Sequence, residues 1–323
     1  MNDSIGYECR AKGCMAGLAC GDAMGDVGRN QAFRDRYGIV DDMYDGAKST
    51  DDTEFAVLTA MTLLDCGGKL TTEALVGSWT RRILDQGGLF DRGGVPLYGA
   101  VENLRRGILP PLSGRYNTLN IDDGAAMRIA PVGIVARDAA HAVELAALEA
   151  SISHYDDGIY AAVACAVAVK LCMQGATALQ AVDGAMRHIP ADSWLGVTMR
   201  RMLDLVAAKP TVEEAWSGLH KDFWTPRHSI SPEAIPQALG IFLLTGGDFR
   251  KGMFWASNFG RDADTIAALV GAMSGARQGY EVIPSAWVEK VRRPSGVCLK
   301  FAAAHDVVEL GVELSRLAER LKA

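Results

Sequence analysis

Two short acidic stretches carry the residue types most able to do chemistry. They are Ser49-Thr50-Asp51-Asp52-Thr53-Glu54 and Gly260-Arg261-Asp262-Ala263-Asp264-Thr265, and each runs directly into an apolar segment of helical period. The ordinary use of such residues is capping: Asp and Thr are favoured N-cap residues, and acids in a first turn complement the helix dipole. For either stretch alone that use suffices. A cap needs one side chain, however, and together the two stretches supply Asp51, Asp52, Asp262 and Asp264 with the hydroxyls of Thr50 and Thr265. Hard divalent cations such as Mg²⁺ and Mn²⁺ take all-oxygen sites of this kind. No Cys/His cluster competes for a zinc assignment. The seven cysteines (positions 9, 14, 20, 66, 165, 172 and 298) form no CxxC pair and lie mostly among small apolar residues, so they read as structural.

The elements that must position these acids are helical. Val57, Met61 and Leu64 share one face of a helix, as do Leu310, Leu314, Leu317 and Leu321. Convincing alternating strands are absent. The pattern predicts helices over 8–24, 51–65, 71–86, 96–106, 137–152, 157–174, 177–188, 193–207, 232–245, 249–258, 263–278 and 304–322, punctuated by glycine pairs such as Gly67-Gly68 and Gly246-Gly247. The small-residue run from Gly13 to Gly21 predicts closely approaching helix backbones. The longest predicted loop is 107–122, which contains Pro110-Pro111. Asp22 reads as a buried structural acid, Asp156 and Asp157 as N-cap acids, Asp91-Arg92 as an ordinary turn, and the aromatics near 223–224 and 254–255 as core.

The bulk numbers narrow the class. The 323 residues are 49% hydrophobic, enough for a sizeable core, and the expectation is a single all-α domain spanning 1–323. The net charge of −6 and the lack of a basic patch argue against duplex nucleic acid as a partner. The most apolar stretch, Ile159 to Val169, is too short for a bilayer, and no basic-then-apolar leader opens the chain. The expectation is therefore a cytoplasmic protein with no membrane partner. The sequence gives no oligomeric state.

Five blocks give the chain a resemblance. They are Gly17-Leu18-Ala19-Cys20-Gly21-Asp22-Ala23-Met24-Gly25, Thr50-Asp51-Asp52-Thr53, Asp123-Gly124-Ala125-Ala126-Met127-Arg128, Ser153-His154, and Asp262-Ala263-Asp264-Thr265. In this order and spacing they resemble the ADP-ribosylglycohydrolase family, which includes dinitrogenase reductase-activating glycohydrolases and ADP-ribosylarginine hydrolases. The resemblance implies a compact many-helix fold with a central cleft and two metal ions, Mg²⁺ or Mn²⁺, at its bottom. It implies Thr50, Asp51 and Asp52 as ligands from one side and Asp262, Asp264 and Thr265 from the other, with Asp264 bridging. The loop of Asp123, Gly124, Ala125 and Met127 would face a substrate phosphate, His154 the ribose or a phosphate, and Arg261 would add a cation beside the site.

Three departures from the family pattern bear on the substrate. Arg29 stands where many members carry a glutamate. The loop reads Asp122-Asp123-Gly124 where Gly-Asn-Gly is usual, and Arg261 replaces a common glycine. The reading that follows is a glycosidase that cleaves a ribosyl N- or O-glycosidic bond of a small-molecule or ADP-ribosylated substrate. Water attacks the anomeric carbon, and Asp51, Asp52 or Asp264 takes its proton. Two carboxylates beside a diphosphate repel it, so a smaller nucleoside or nucleotide is the alternative substrate. A non-catalytic ligand-binding or structural protein is the remaining class, and the six oxygen ligands argue against it.

Overall fold

The computed structural model describes residues 5–322. Its elements are helices, and among the described residues there is no strand, only one antiparallel bridge between Asp122 and Ile230. One apolar cluster runs from Ala11 to Leu317. No helix among the described residues is long and apolar enough to cross a membrane. All seven cysteines are free thiols.

The centre of the fold is a pair of helices, Tyr7–Arg29 and Ala263–Gln278. They run antiparallel with backbones in contact. A Cβ on Gly13, Gly17, Gly21 or Gly25 would collide with the carbonyls of Gly275, Gly271, Ala267 or Ala263 in turn. A spacing of four therefore places every one of these glycines on the shared face. The first helix runs five residues beyond its predicted end at 24 because Gly25 and Gly28 are contact residues and not helix breakers. Gly28 faces the Ser257 carbonyl in the same way. This pairing sets the C-terminal end of Tyr7–Arg29 beside the N-terminus of Ala263–Gln278.

The helix Asp51–Asp65 has its predicted bounds, and so does Ala263–Gln278. The Ile159–Val169 stretch lies inside the buried helix Asp157–Met173. Five α-helices lie outside the predicted ranges: Gln31–Tyr37, Leu112–Arg115, Ala130–Val135, Val212–Lys221 and Ser285–Val291. The predicted loop 107–122 holds a short helical turn, Leu112–Arg115, pinned by Asn103 donating to the carbonyls of Ser113 and Tyr116. The expectation for Asp156 and Asp157 needs correction. Asp156 sits at the cap position in a left-handed conformation and makes no side-chain cap, while Asp157 accepts the Leu195 N–H and so caps a neighbouring helix, Trp194–Ala208.

Candidate active site

Three helix ends build one cleft: the N-termini of Asp51–Asp65 and Ala263–Gln278 and the C-terminal turn of Tyr7–Arg29. The cleft measures about 360 Å³. Asp51, Asp52, Asp122, Asp123, Asp262 and Asp264 line it, with Gly124, Met127 and Thr265. Acids sit where the helix dipoles are positive, and Arg29 sits in a last turn, where the dipole favours a cation.

The acids of the two motifs do not cap their own helices. Thr50 and Asp262 occupy the N-cap positions, and neither side chain makes a cap hydrogen bond. The cap of Asp51–Asp65 comes from Asp22 on the first helix. Its carboxylate accepts the N–H groups of Thr50 and Thr53 at 2.7 and 3.2 Å and their hydroxyls at 2.6 and 2.5 Å. That leaves Asp51 and Asp52 for other work. Glu54, by contrast, is structural: it accepts the N–H groups of Val297, Cys298 and Leu299 and the Ser295 hydroxyl, fastening that segment to the helix.

The electrostatics are those of a site short of positive charge. Burial pushes Asp22 up to about 6 despite the hydrogen bonds from Thr50 and Thr53. Asp51 is pushed up to about 7 by burial and the Asp22 charge, with Arg92 and Arg29 pulling the other way. Burial, then the charge of Asp264, lifts Asp52 well above the usual carboxylate range. Asp264 rises likewise through burial, although Arg29 opposes the rise. Asp123 is raised by burial and by the charges of Asp262 and Asp122. Only Asp262 is lowered: burial works against its ionised form, and His228 and Arg29 outweigh that. Two buried oxygens, Asp52 Oδ1 and Asp123 Oδ2, find no hydrogen-bond donor. Buried acceptors without a donor are costly, so these atoms fit a cation or a proton. Asp22, Asp52 and Asp264 each offer an oxygen within 4.8 Å of the other two. An all-carboxylate donor set of this kind suits Mg²⁺ or Mn²⁺.

Some expected residues lie elsewhere. Arg261 turns away from the cleft: its guanidinium pairs with buried Glu233 at 2.5 and 2.9 Å, donates to the Thr225 carbonyl and stacks on Trp224. Its backbone lies at φ 55, the left-handed region that favours the glycine expected there. His154 is fully buried behind the loop. Because the Asp122 carboxylate can only accept, His154 Nε2 donates to it at 2.7 Å, and Nδ1 accepts from Ser153, which Arg128 holds. Burial also lowers the His154 pKa, consistent with a neutral ring. Thr50 directs its hydroxyl to Asp22. Gly124 spends its N–H on Asp122 Oδ1 at 2.9 Å, Met127 spends its own on the Asp123 carbonyl, and Ala125 is buried without lining the cleft. The loop therefore offers fewer free N–H groups to a phosphate than expected.

Sequence reasoning missed Arg92, Arg227 and His228 in the cleft wall. Arg92 is no ordinary turn residue. At φ 73 it is strained, and it reaches Asp26 at 2.8 Å and Asp264 at 3.5 Å. His228 lies 3.3 Å from Asp262. The nearest signal was a cation beside the Gly93-Gly94 turn, which by itself indicates nothing. Asp22 was assigned a structural role, and it also belongs to the carboxylate trio.

A helical scaffold whose helix ends converge on buried, under-satisfied carboxylates defines a class of acidic-cleft, all-α proteins. The comparisons place the chain within that class. A family model described as ADP-ribosylglycohydrolase matches residues 3–322, and the chain belongs to that family. An uncharacterized protein of Archaeoglobus fulgidus is 30% identical over 299 residues, covering 88% of this chain and 92% of its own. The ADP-ribosylarginine hydrolase Tri1 of Pseudomonas putida is 28% identical, covering 87% and 74%. The ADP-ribosylhydrolase ARH3 of Bos taurus is 23% identical, covering 86% and 87%. A solved structure described as an ADP-ribosylglycohydrolase-related protein complex shares the fold at a TM-score of 0.71 and 23% identity, covering 97% of this chain and 99% of its own.

Proposed function

We propose that this protein hydrolyses a ribosyl N- or O-glycosidic bond, with an ADP-ribosyl group as the substrate class, in a reaction that depends on Mg²⁺ or Mn²⁺. The observation that carries the reading is the unpartnered Asp52 Oδ1 at the base of a cleft whose carboxylates cap nothing of their own. Asp22, Asp52 and Asp264 would hold the metal, with Thr265 on the cleft wall completing the set. A bound divalent cation would orient ribose hydroxyls and the attacking water.

The protein's own groups handle the rest. Asp51, pushed up to about 7, can accept a proton from water near neutral pH and release it again. Asp123, raised by burial and its acidic neighbours, retains a proton and is a candidate donor to the leaving group. Arg92 and Arg29 hold Asp264 and Asp262 in place. The committed N–H of Gly124 and the Asp122 carboxylate favour a second reading in substrate size, namely a ligand with fewer phosphates than ADP-ribose.

A hydrolysis screen over ADP-ribosyl-arginine, ADP-ribosyl-serine, ADP-ribose derivatives and simple nucleosides tests the class. Turnover is expected to vanish in EDTA and return with Mg²⁺ or Mn²⁺ better than with Zn²⁺, because no soft donor is present. Full activity in metal-stripped protein would refute the reading.

A further inference from the structure

The expectation of two cations requires an open position at each carboxylate cluster, and of the two only the Asp52 side keeps a buried oxygen without a donor. Arg29 places Nη1 2.6 Å from Asp262 Oδ1 and 2.5 Å from Asp264 Oδ1, and its Nε lies 3.6 Å from Asp26. The two contacts of Nη1 have the short distances of charge-assisted hydrogen bonds. On the other side of Asp264, Asp52 Oδ1 has no donor, and Asp22, Asp52 and Asp264 offer oxygens within 4.8 Å of one another. Asp264 thus stands between a guanidinium and the carboxylates of Asp22 and Asp52.

We propose that the cleft takes a single divalent cation, on the Asp52 side of Asp264, and that the Arg29 guanidinium is the resident second positive charge against Asp262 and Asp264. The inference rests on the metal-dependent reading above and changes its ion count. Arg29 can hold the position for three reasons. It is tethered at the last turn of a helix packed by glycine contact against Ala263–Gln278, so its local concentration is fixed and does not depend on solution conditions. The helix C-terminus favours a cation there. A second metal ion would have to expel the guanidinium from two carboxylates and leave it with Asp26 alone. An arginine also stays charged at any working pH, so the second charge does not come and go with the metal supply.

The test is Mn²⁺ stoichiometry by native mass spectrometry together with electron paramagnetic resonance, neither of which depends on turnover. The wild type should bind one Mn²⁺ per chain with the six-line signal of an isolated ion. Arg29→Ala should bind two, with an exchange-coupled signal. Two ions in the wild type would overturn this inference and leave the hydrolase reading standing. No ion in the wild type would overturn both. A single ion in folded Arg29→Ala would show that Arg29 does not occupy the second position. Should Arg29→Ala fail to fold, Arg29→Gln keeps the side chain's reach without its charge and serves the same comparison.

Discussion

The two ends of the central helix pair each hold an arginine, and the contrast between them separates structure from function. At one end Arg10 donates to the carbonyls of Cys172, Ala276 and Arg277, where the helices Asp157–Met173 and Ala263–Gln278 finish. Those carbonyls are the ones a helix C-terminus leaves without partners, and a guanidinium satisfies them. At the other end Arg29 meets carboxylates, and after it has paired there are still buried oxygens without a donor. The cavity beside Arg10 is the larger, about 700 Å³ against about 360 Å³, yet no carboxylate lines it. Size does not mark the active end. A cleft lined by buried carboxylate oxygens without donors sets the Arg29 end apart, because a fold that keeps them there forgoes stability it could have had.

The largest expected effect comes from Asp264→Ala. It should abolish cation binding and reduce turnover by on the order of 10³-fold or more, a loss of at least about 4 kcal/mol of transition-state stabilisation. The fold should survive, because the change removes a buried charge that its acidic neighbours already disfavour. Circular dichroism and thermal melts in EDTA check the second half. A variant that retains turnover at saturating Mg²⁺ would break the assignment of this end as the active one.

Arg10→Ala should do the reverse. It orphans buried carbonyls, so stability should fall by roughly 3 kcal/mol while turnover per folded molecule stays near wild type. Urea denaturation alongside kinetics on the folded fraction measures both. Lost turnover with unchanged stability would mean that the two ends are not separable.

The contrast was only partly legible in the sequence. Asp51, Asp52, Asp262, Asp264 and Thr265 could be named because each motif sits beside its own helix start, a local signal. The helix Val212–Lys221 was also within reach, since Thr211 and Glu214 form a cap pair that the sequence displays. What the sequence withheld was long-range pairing. Nothing local distinguishes an Arg261 directed at Asp262 from one drawn to Glu233, 28 positions away. Arg29 read as a departure from the family pattern, and the partners that make it part of the site lie more than 200 residues on. The predicted helix end at 24 stopped short of Gly25 and Gly28 because the backbone they touch belongs to another segment.

A further effect follows from pH. Asp22 and Asp51 are raised in the folded protein to about 6 and about 7 from an ordinary value of 3.8. A raised acid binds its proton more tightly when folded, so its contribution to stability is full below the ordinary value and is lost as pH rises through 6 to 7. The metal-stripped protein should therefore lose on the order of 4 kcal/mol between about pH 5 and about pH 8. The Mn²⁺-loaded protein should lose less, since the cation replaces the proton. Parallel Tm profiles that coincide with and without Mn²⁺ would show that these acids do not face the metal. Arg10 and its carbonyls have no part in this dependence.

The smallest expected effect concerns Asp123, and the structure reduces what the sequence alone suggests. Two unit charges about 4 Å apart repel by roughly 4 kcal/mol at an effective dielectric near 20, so an ionised Asp123 beside a diphosphate would weaken binding several-fold or more. In the fold, however, Asp123 is buried against Asp262 and Asp122, and that environment favours its protonated form. A protonated carboxyl and an asparagine differ little in charge or shape. Asp123→Asn should therefore leave ADP-ribose affinity within about twofold wherever the wild-type carboxyl keeps its proton, and tighten it several-fold only at the alkaline end of a pH series, if that group ionises there. Asp122 does not offer the same probe, because Asp122→Asn would disturb the hydrogen bonds to His154 and Gly124. Calorimetric titration of ADP-ribose, ribose 5-phosphate and a nucleoside across a pH series decides it. If Asp123→Asn weakens ADP-ribose at any pH of the series, the carboxyl is a recognition group for the ligand, and the preference for fewer phosphates should be abandoned.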